Sequence, residues 1–257
     1  MTRLIQFALA LAVLGLSNGA RAEQAPAAPT APSVAPMVEP EALDALKRMG
    51  AHLQTLKRFQ VSTEVTGERV LADGQKLQHT ASAQLDVVRP DRLRVRMVSA
   101  RAERELFFDG RTVTLFTPAQ KYYSTVDFTG TLGDLVARMQ EKYGVEVPLS
   151  DLFVWGTPAA PLDKIESAMN AGQQFIGRDL CDHYAFRQGN FDWQIWITAD
   201  SKPLPRKMVI TNRADEARPQ SSSVIDWNLK PTFKDSVFKF TPPAGATQVQ
   251  IVPLKTK

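Results

Sequence analysis

Cysteine is nearly absent from this chain. Cys181 is the single one in 257 residues, so no disulfide can form within it and the fold must rest on its core. Histidine is almost as scarce, with His52, His79 and His183 only, and no H-E-x-x-H run is present. A G-x-S-x-G elbow and a Walker loop are missing too, which removes the common nucleophilic and nucleotide-binding signatures. A strong excess of either charge is also lacking. The formal net charge is +4, which gives no warrant for a nucleic-acid partner. No apolar run has the roughly 20 residues of a membrane-spanning helix. Leu4–Leu16 stops at 13, and no later run approaches it.

That short run follows Arg3 and precedes Ala20-Arg21-Ala22, the pattern of a secretory leader with a small-residue cleavage site. Residues 1–22 are therefore expected to be a signal peptide. The mature chain would begin at Glu23 as a soluble periplasmic protein, with no cysteine at the new terminus to carry lipid. Losing Arg3 and Arg21 lowers the balance to 29 − 27 = +2. Residues 23–40 read as a linker, because five prolines and five alanines between Gln24 and Pro40 favour an extended polyproline II lead rather than a core. A single domain is expected over 41–257.

Within it, Leu43, Leu46, Leu53 and Leu56 fall near one face of a helix over 41–58. The period then changes to two. Phe59, Val61, Thr63 and Val65 alternate with polar residues, as do Leu93, Val95 and Met97 with Arg92, Arg94 and Arg96. Asp109-Gly110 marks a hairpin between two further strands. Helical spacing returns at Leu132, Leu135, Val136 and Met139, and Pro148–Trp155 is expected to open a short helix with proline at its start. Residues 157–171 read as loop or broken helix, and strands resume from Gln173 through Val237–Phe240. Strands in meander order with few helices between them exclude a parallel α/β fold. The expected class is mainly antiparallel β (α+β): an open, incomplete barrel of about eleven strands with helices over its concave apolar face.

Chemistry-bearing clusters are few. On a strand, Cys181 and His183 project to one face, but no second pair has metal-ligand spacing and same-strand neighbours do not converge for catalysis. No catalytic residue, metal site or cofactor is expected. The row Arg92, Arg94 and Arg96 is either a wet outer face or a docking strip for anionic headgroups or a partner's acidic patch.

Several segments together resemble a known family: Arg89-Pro-Asp-Arg-Leu-Arg-Val, Phe107-Phe-Asp-Gly-Arg-Thr-Val-Thr-Leu-Phe, Trp196-Ile-Thr-Ala-Asp-Ser-Lys-Pro-Leu-Pro-Arg and Phe238-Lys-Phe-Thr-Pro-Pro-Ala-Gly. The chain looks like a member of the LolA and LolB superfamily of periplasmic lipoprotein-localisation factors. It is closer still to a group of predicted periplasmic proteins of unassigned function with that fold. The resemblance implies an incomplete barrel whose concave face holds acyl chains or lipids; a related domain belongs to a periplasmic stress regulator. The longer insertion at 131–171 and the proline-rich lead depart from the lipoprotein carriers.

By phase, the expected trough is lined by Val61, Val65, Leu85, Val87, Leu93, Val95 and Met97 from the first half. Trp193, Ile195, Met208, Ile210, Ile225 and Trp227 would come from the second, under a lid of Leu135, Met139, Phe153 and Trp155. The function expected is a monomeric, non-catalytic carrier of a lipid, acyl chain or lipidated protein. The alternative is a sensing module that docks an envelope protein partner.

Overall fold

The computed structural model describes residues 37–254, so the expected leader and most of the proline-rich lead lie outside the described residues. Helix α1 (Pro40–Thr55) comes first, with Pro40 in its first turn, where a missing N–H leaves no helical bond unmade. It ends three residues short of expectation. Leu56 is already extended, since the alternating pattern of Phe59, Val61 and Thr63 commits the chain to strand from Arg58.

Six antiparallel strands follow: β1 (Arg58–Val70), β2 (Lys76–Val88), β3 (Arg92–Ser99), β4 (Glu103–Phe108), β5 (Thr112–Thr117) and β6 (Tyr122–Asp127). Helix α2 (Leu132–Tyr143) starts at a capping box and stops at Gly144. At its head the Thr131 hydroxyl accepts from the Asp134 N–H while the Asp134 carboxylate accepts from the Thr131 N–H. Gly144 takes φ 65°, a left-handed conformation that suits glycine. A 3-10 turn, Ser150–Phe153, then precedes β7 (Ser167–Ile176), β8 (Asp179–Gln188), β9 (Phe191–Thr198), β10 (Pro205–Asn212), β11 (Gln220–Asn228) and a two-residue β12 (Thr247–Gln248).

Three expectations are corrected. Pro148 does not open the helical turn, which begins at Ser150 after Leu149 adopts φ 54°. Strand β7 begins at Ser167, inside the span read as loop, because a register shift between Asn170 and Gln173 carries the Asn-Ala-Gly breaker within the strand. Val237–Phe240 is not a strand. Asp235–Phe238 forms a 3-10 turn that buries Phe238, and Phe240 packs on the rings of Phe107, Phe116 and Tyr123. Those aromatics gain more by covering the outer sheet face than by seeking a strand partner.

All twelve strands form one open sheet in the order β12-β6-β5-β4-β3-β2-β1-β11-β10-β9-β8-β7. Its halves join where β1 pairs with β11. Strands β6 and β7 are consecutive in sequence yet lie towards opposite edges, so residues 128–166 between them must cross the mouth of the sheet. That crossing is the lid. Leu132, Leu135 and Met139 of α2, Phe153 of the 3-10 turn, and Leu46, Met49 and Leu53 of α1 share one buried cluster with Phe59, Leu85, Leu93 and Phe108 of the sheet. The ends of the described chain blunt both edges, a known guard against edge-to-edge pairing. Glu39 N–H donates to the Ala168 carbonyl of β7 at 2.9 Å, and β12 lies parallel to β6.

Candidate ligand-binding clefts beside the lid

The residues expected to line a trough do share the concave face. Val61, Leu85, Val87, Leu93, Ile195 and Ile225 have no exposed surface, and Val95 and Met208 have 4% and 7%. Above them Leu135, Met139, Phe153 and Trp155 are buried as well. The centre of the expected trough is therefore occupied by the lid's own side chains. Val65, Met97, Trp193, Ile210 and Trp227 are only half-buried, and they mark where the lid's cover ends. Trp227 has other commitments: its ring lies 5.5 Å from that of Phe59 and its indole N–H donates to the Pro205 carbonyl at 2.8 Å.

Open space survives on two flanks of the lid. A first cleft, of about 380 Å³, lies between the lid and β9–β10; Trp193, Met208 and Ile210 form its floor, with Trp155, Leu162 and Ile165 opposite. A second, of about 420 Å³, lies between β3–β5 and the chain after α2; Val95, Met97, Leu106 and Leu115 face Val145 and Val147 there. Both volumes fall within the ~300–1,000 Å³ usual for small-ligand sites. Register places Met208, Ser223, Val65 and Ala81 in one row across β10, β11, β1 and β2, so a floor of smaller, half-buried residues runs from buried Met208 in the first cleft towards the second.

Sequence reasoning missed the insertion's share of these walls. Leu106 and Leu115 carried a signal, because they alternate in phase with Val95 on either side of the Asp109-Gly110 hairpin. Leu162 and Ile165 open and close a 3-10 turn, Leu162–Lys164, too short to leave a period to read. The first cleft also holds Asp151, an exposed residue whose carboxyl is crowded by protein. Desolvation raises its pKa above the ordinary carboxylate value, against a lowering by its own backbone N–H.

The Arg row lies on the convex face, and each member already has an acceptor. Arg94 meets Glu105 at 2.8 Å, Arg96 meets Glu103 at 2.6 Å, and Arg92 donates to the Asp109 carbonyl and lies 3.5 Å from Asp91. Cys181 and His183 share that convex side of β8 but not a reaction centre. Burial, with Asp179 nearby, pushes the Cys181 thiol up to about 11, so it stays protonated at neutral pH. His183 stacks on Trp196 at 4.0 Å and pairs through Nε2 with Gln194 at 2.9 Å. Among the described residues no group of three or more acidic, histidine or cysteine side chains is placed to hold a metal ion.

An open antiparallel sheet with an apolar concave face, closed by a crossing lid, defines the class of protein. Within that class, a model of the family described as predicted periplasmic protein (DUF2092) matches residues 42–252, and the chain belongs to that family. No curated protein matches it in sequence. Among solved structures, LprF from Mycobacterium bovis is 12% identical, with 83% of this chain and 100% of that one covered and a TM-score of 0.44. LppX from Mycobacterium tuberculosis is 11% identical over 76% of this chain and 98% of that one, with a TM-score of 0.40. A LolA superfamily protein from Nitrosomonas europaea is 11% identical over 77% and 97%, with a TM-score of 0.38. At such values the functional question returns to the site itself. No described helix is long and apolar enough to cross a membrane.

Proposed function

We propose that this protein binds a lipid or acyl chain non-catalytically in the periplasm, taking it into the clefts that flank the lid. One observation carries the reading: two apolar clefts persist where the lid's cover of the concave face stops. Magnitudes indicate how much of a chain must enter. Burial of each methylene contributes ~0.8 kcal/mol, so eight carbons in one cleft gain about 6 kcal/mol. Association costs ~4–15 kcal/mol, so filling one cleft ranges from a gain of about 2 kcal/mol to a deficit of about 9 kcal/mol. Sixteen carbons gain about 13 kcal/mol. A useful ligand must therefore reach both clefts, and the lid must shift to let it through. Reversible binding of that kind suits a carrier.

Family membership and the leader expected at residues 1–22 support export. The Arg92/Arg94/Arg96 face, with its charges matched by Glu103, Glu105 and Asp91, offers little net attraction to an envelope partner. Titration of delipidated protein with a fluorescent fatty acid tests the proposal. Saturable uptake is expected, and Ile210→Glu and Met97→Glu should each weaken it at least tenfold. No uptake by the wild type would overturn it.

A further inference from the structure

A third cavity, of about 310 Å³, lies on the other side of the lid turn, between the end of α1, the β2–β3 connection and the first turn of α2. Two of its lining residues are cations, Lys57 and Arg89, and none is acidic. Among the described residues neither cation has a carboxylate within 4.0 Å.

The Arg89 guanidinium sits 5.9 Å from the centre of the Phe59 ring and 5.8 Å from that of Phe153. Its Nη2 donates to the Leu152 carbonyl at 3.0 Å, while its Nε is buried with no acceptor. Burial without a counter-charge lowers its pKa from the ordinary arginine value. A partly desolvated guanidinium supplied with one carbonyl and two ring faces is short of negative charge.

The neighbouring polar groups cannot make up the deficit. The Thr131 hydroxyl is bonded to the Asp134 carboxylate at 2.7 Å, and the same carboxylate accepts the Thr131 N–H at 2.8 Å. The Thr157 hydroxyl donates to the Val154 carbonyl and the Gln54 amide donates to the Trp155 carbonyl, both at 2.6 Å. What remains is a cavity lined by an arginine and a lysine with no acid beside them, a pairing that suits a tetrahedral oxyanion.

We propose that the cavity beside Lys57 and Arg89 binds a phosphate group, either free or carried as the headgroup of a phospholipid. The site lies apart from the apolar clefts and does not depend on acyl-chain binding there.

Calorimetric titration of the wild-type protein with inorganic phosphate, at ionic strength matched with chloride, tests the proposal. Saturable binding is expected, weakened at least tenfold in Lys57→Gln and lost in Arg89→Gln. Because Arg89→Gln also removes the bond to Leu152, the Lys57→Gln variant is decisive. Among the described residues the exposed Lys57 side chain makes no hydrogen bond or ion pair, so this variant should keep the wild-type Tm. Titration with dihexanoylphosphatidylglycerol below its micelle concentration separates the sources. Binding at least tenfold tighter than inorganic phosphate, with the same dependence on Lys57, assigns the headgroup; equal or weaker binding assigns the free ion. Absence of saturable binding of both, or binding unchanged in Lys57→Gln, overturns the proposal.

Discussion

Replacing Gly50 with alanine should loosen the lid, and the size of the effect follows from the packing. A Cβ at Gly50 would stand 2.5 Å from the Gly156 nitrogen, 2.8 Å from the Gly156 Cα and 3.1 Å from the Trp155 carbonyl carbon. All three are backbone atoms, so no side chain can swing away and the lid turn itself must retreat from α1. Overpacking of this kind costs ~1–3 kcal/mol. Alanine in place of a helical glycine returns up to about 1 kcal/mol of helix propensity. The net expectation is a loss of up to about 2 kcal/mol, or a fall in Tm of up to roughly 8 °C for a domain of this size. Urea denaturation and calorimetry of Gly50→Ala measure it directly. Ala51→Gly, on the exposed side of the same helix, is the control and should lose about 1 kcal/mol through propensity alone. The functional arm uses the same variant: a lid held off α1 should admit a fluorescent fatty acid faster than the wild type. If Gly50→Ala were more stable than wild type, the glycine-to-glycine contact would not be what seats the lid.

Four further outcomes are expected. Thr131→Ala should lose about 1 kcal/mol at neutral pH, as loss of a helix cap usually does. Hydrogen bonds from Thr131 hold the Asp134 carboxyl below its ordinary value, so the share owed to the carboxylate is complete above an unfolded pKa of about 3.9 and fades as pH falls through the folded one. Wild type and variant should therefore draw closer in acid melts without converging, because the bond from the Asp134 N–H to the Thr131 hydroxyl does not depend on the carboxyl's charge. Cys181 should resist a thiol reagent at pH 8 in the native protein and react at once in urea, since its thiol is buried and pushed up to about 11. In a double-mutant cycle, Arg94 and Glu105 should couple by about 1 kcal/mol or less, because Arg94 remains partly exposed.

Much of the fold was legible because sheets with one wet face write themselves as alternation. Val61, Leu85, Leu93 and Ile225 could be assigned to the concave side by parity alone, and Asp109-Gly110 announced its hairpin. The start of β7 was illegible, since Asn170 and Gly172 resemble a loop until the partner strand supplies a register with a bulge in it. The aromatic segment ending at Phe240 was misread for a related reason. Alternation shows which residues are apolar, but not whether they pair along a strand edge or lie across a finished sheet.

The candidate site divides along the same line. Residue type and period determined that this chain builds an antiparallel sheet with a greasy face, because burial of every second side chain leaves a local imprint. How much of that face stays open was decided only by tertiary structure. Strands β6 and β7 fall near opposite edges of the sheet, and the chain joining them is forced across its mouth. Leu135, Met139 and Phe153 then fill the centre and leave space at Trp193 and Met97. Filling of space depends on contacts between residues distant in sequence, and no local pattern records those.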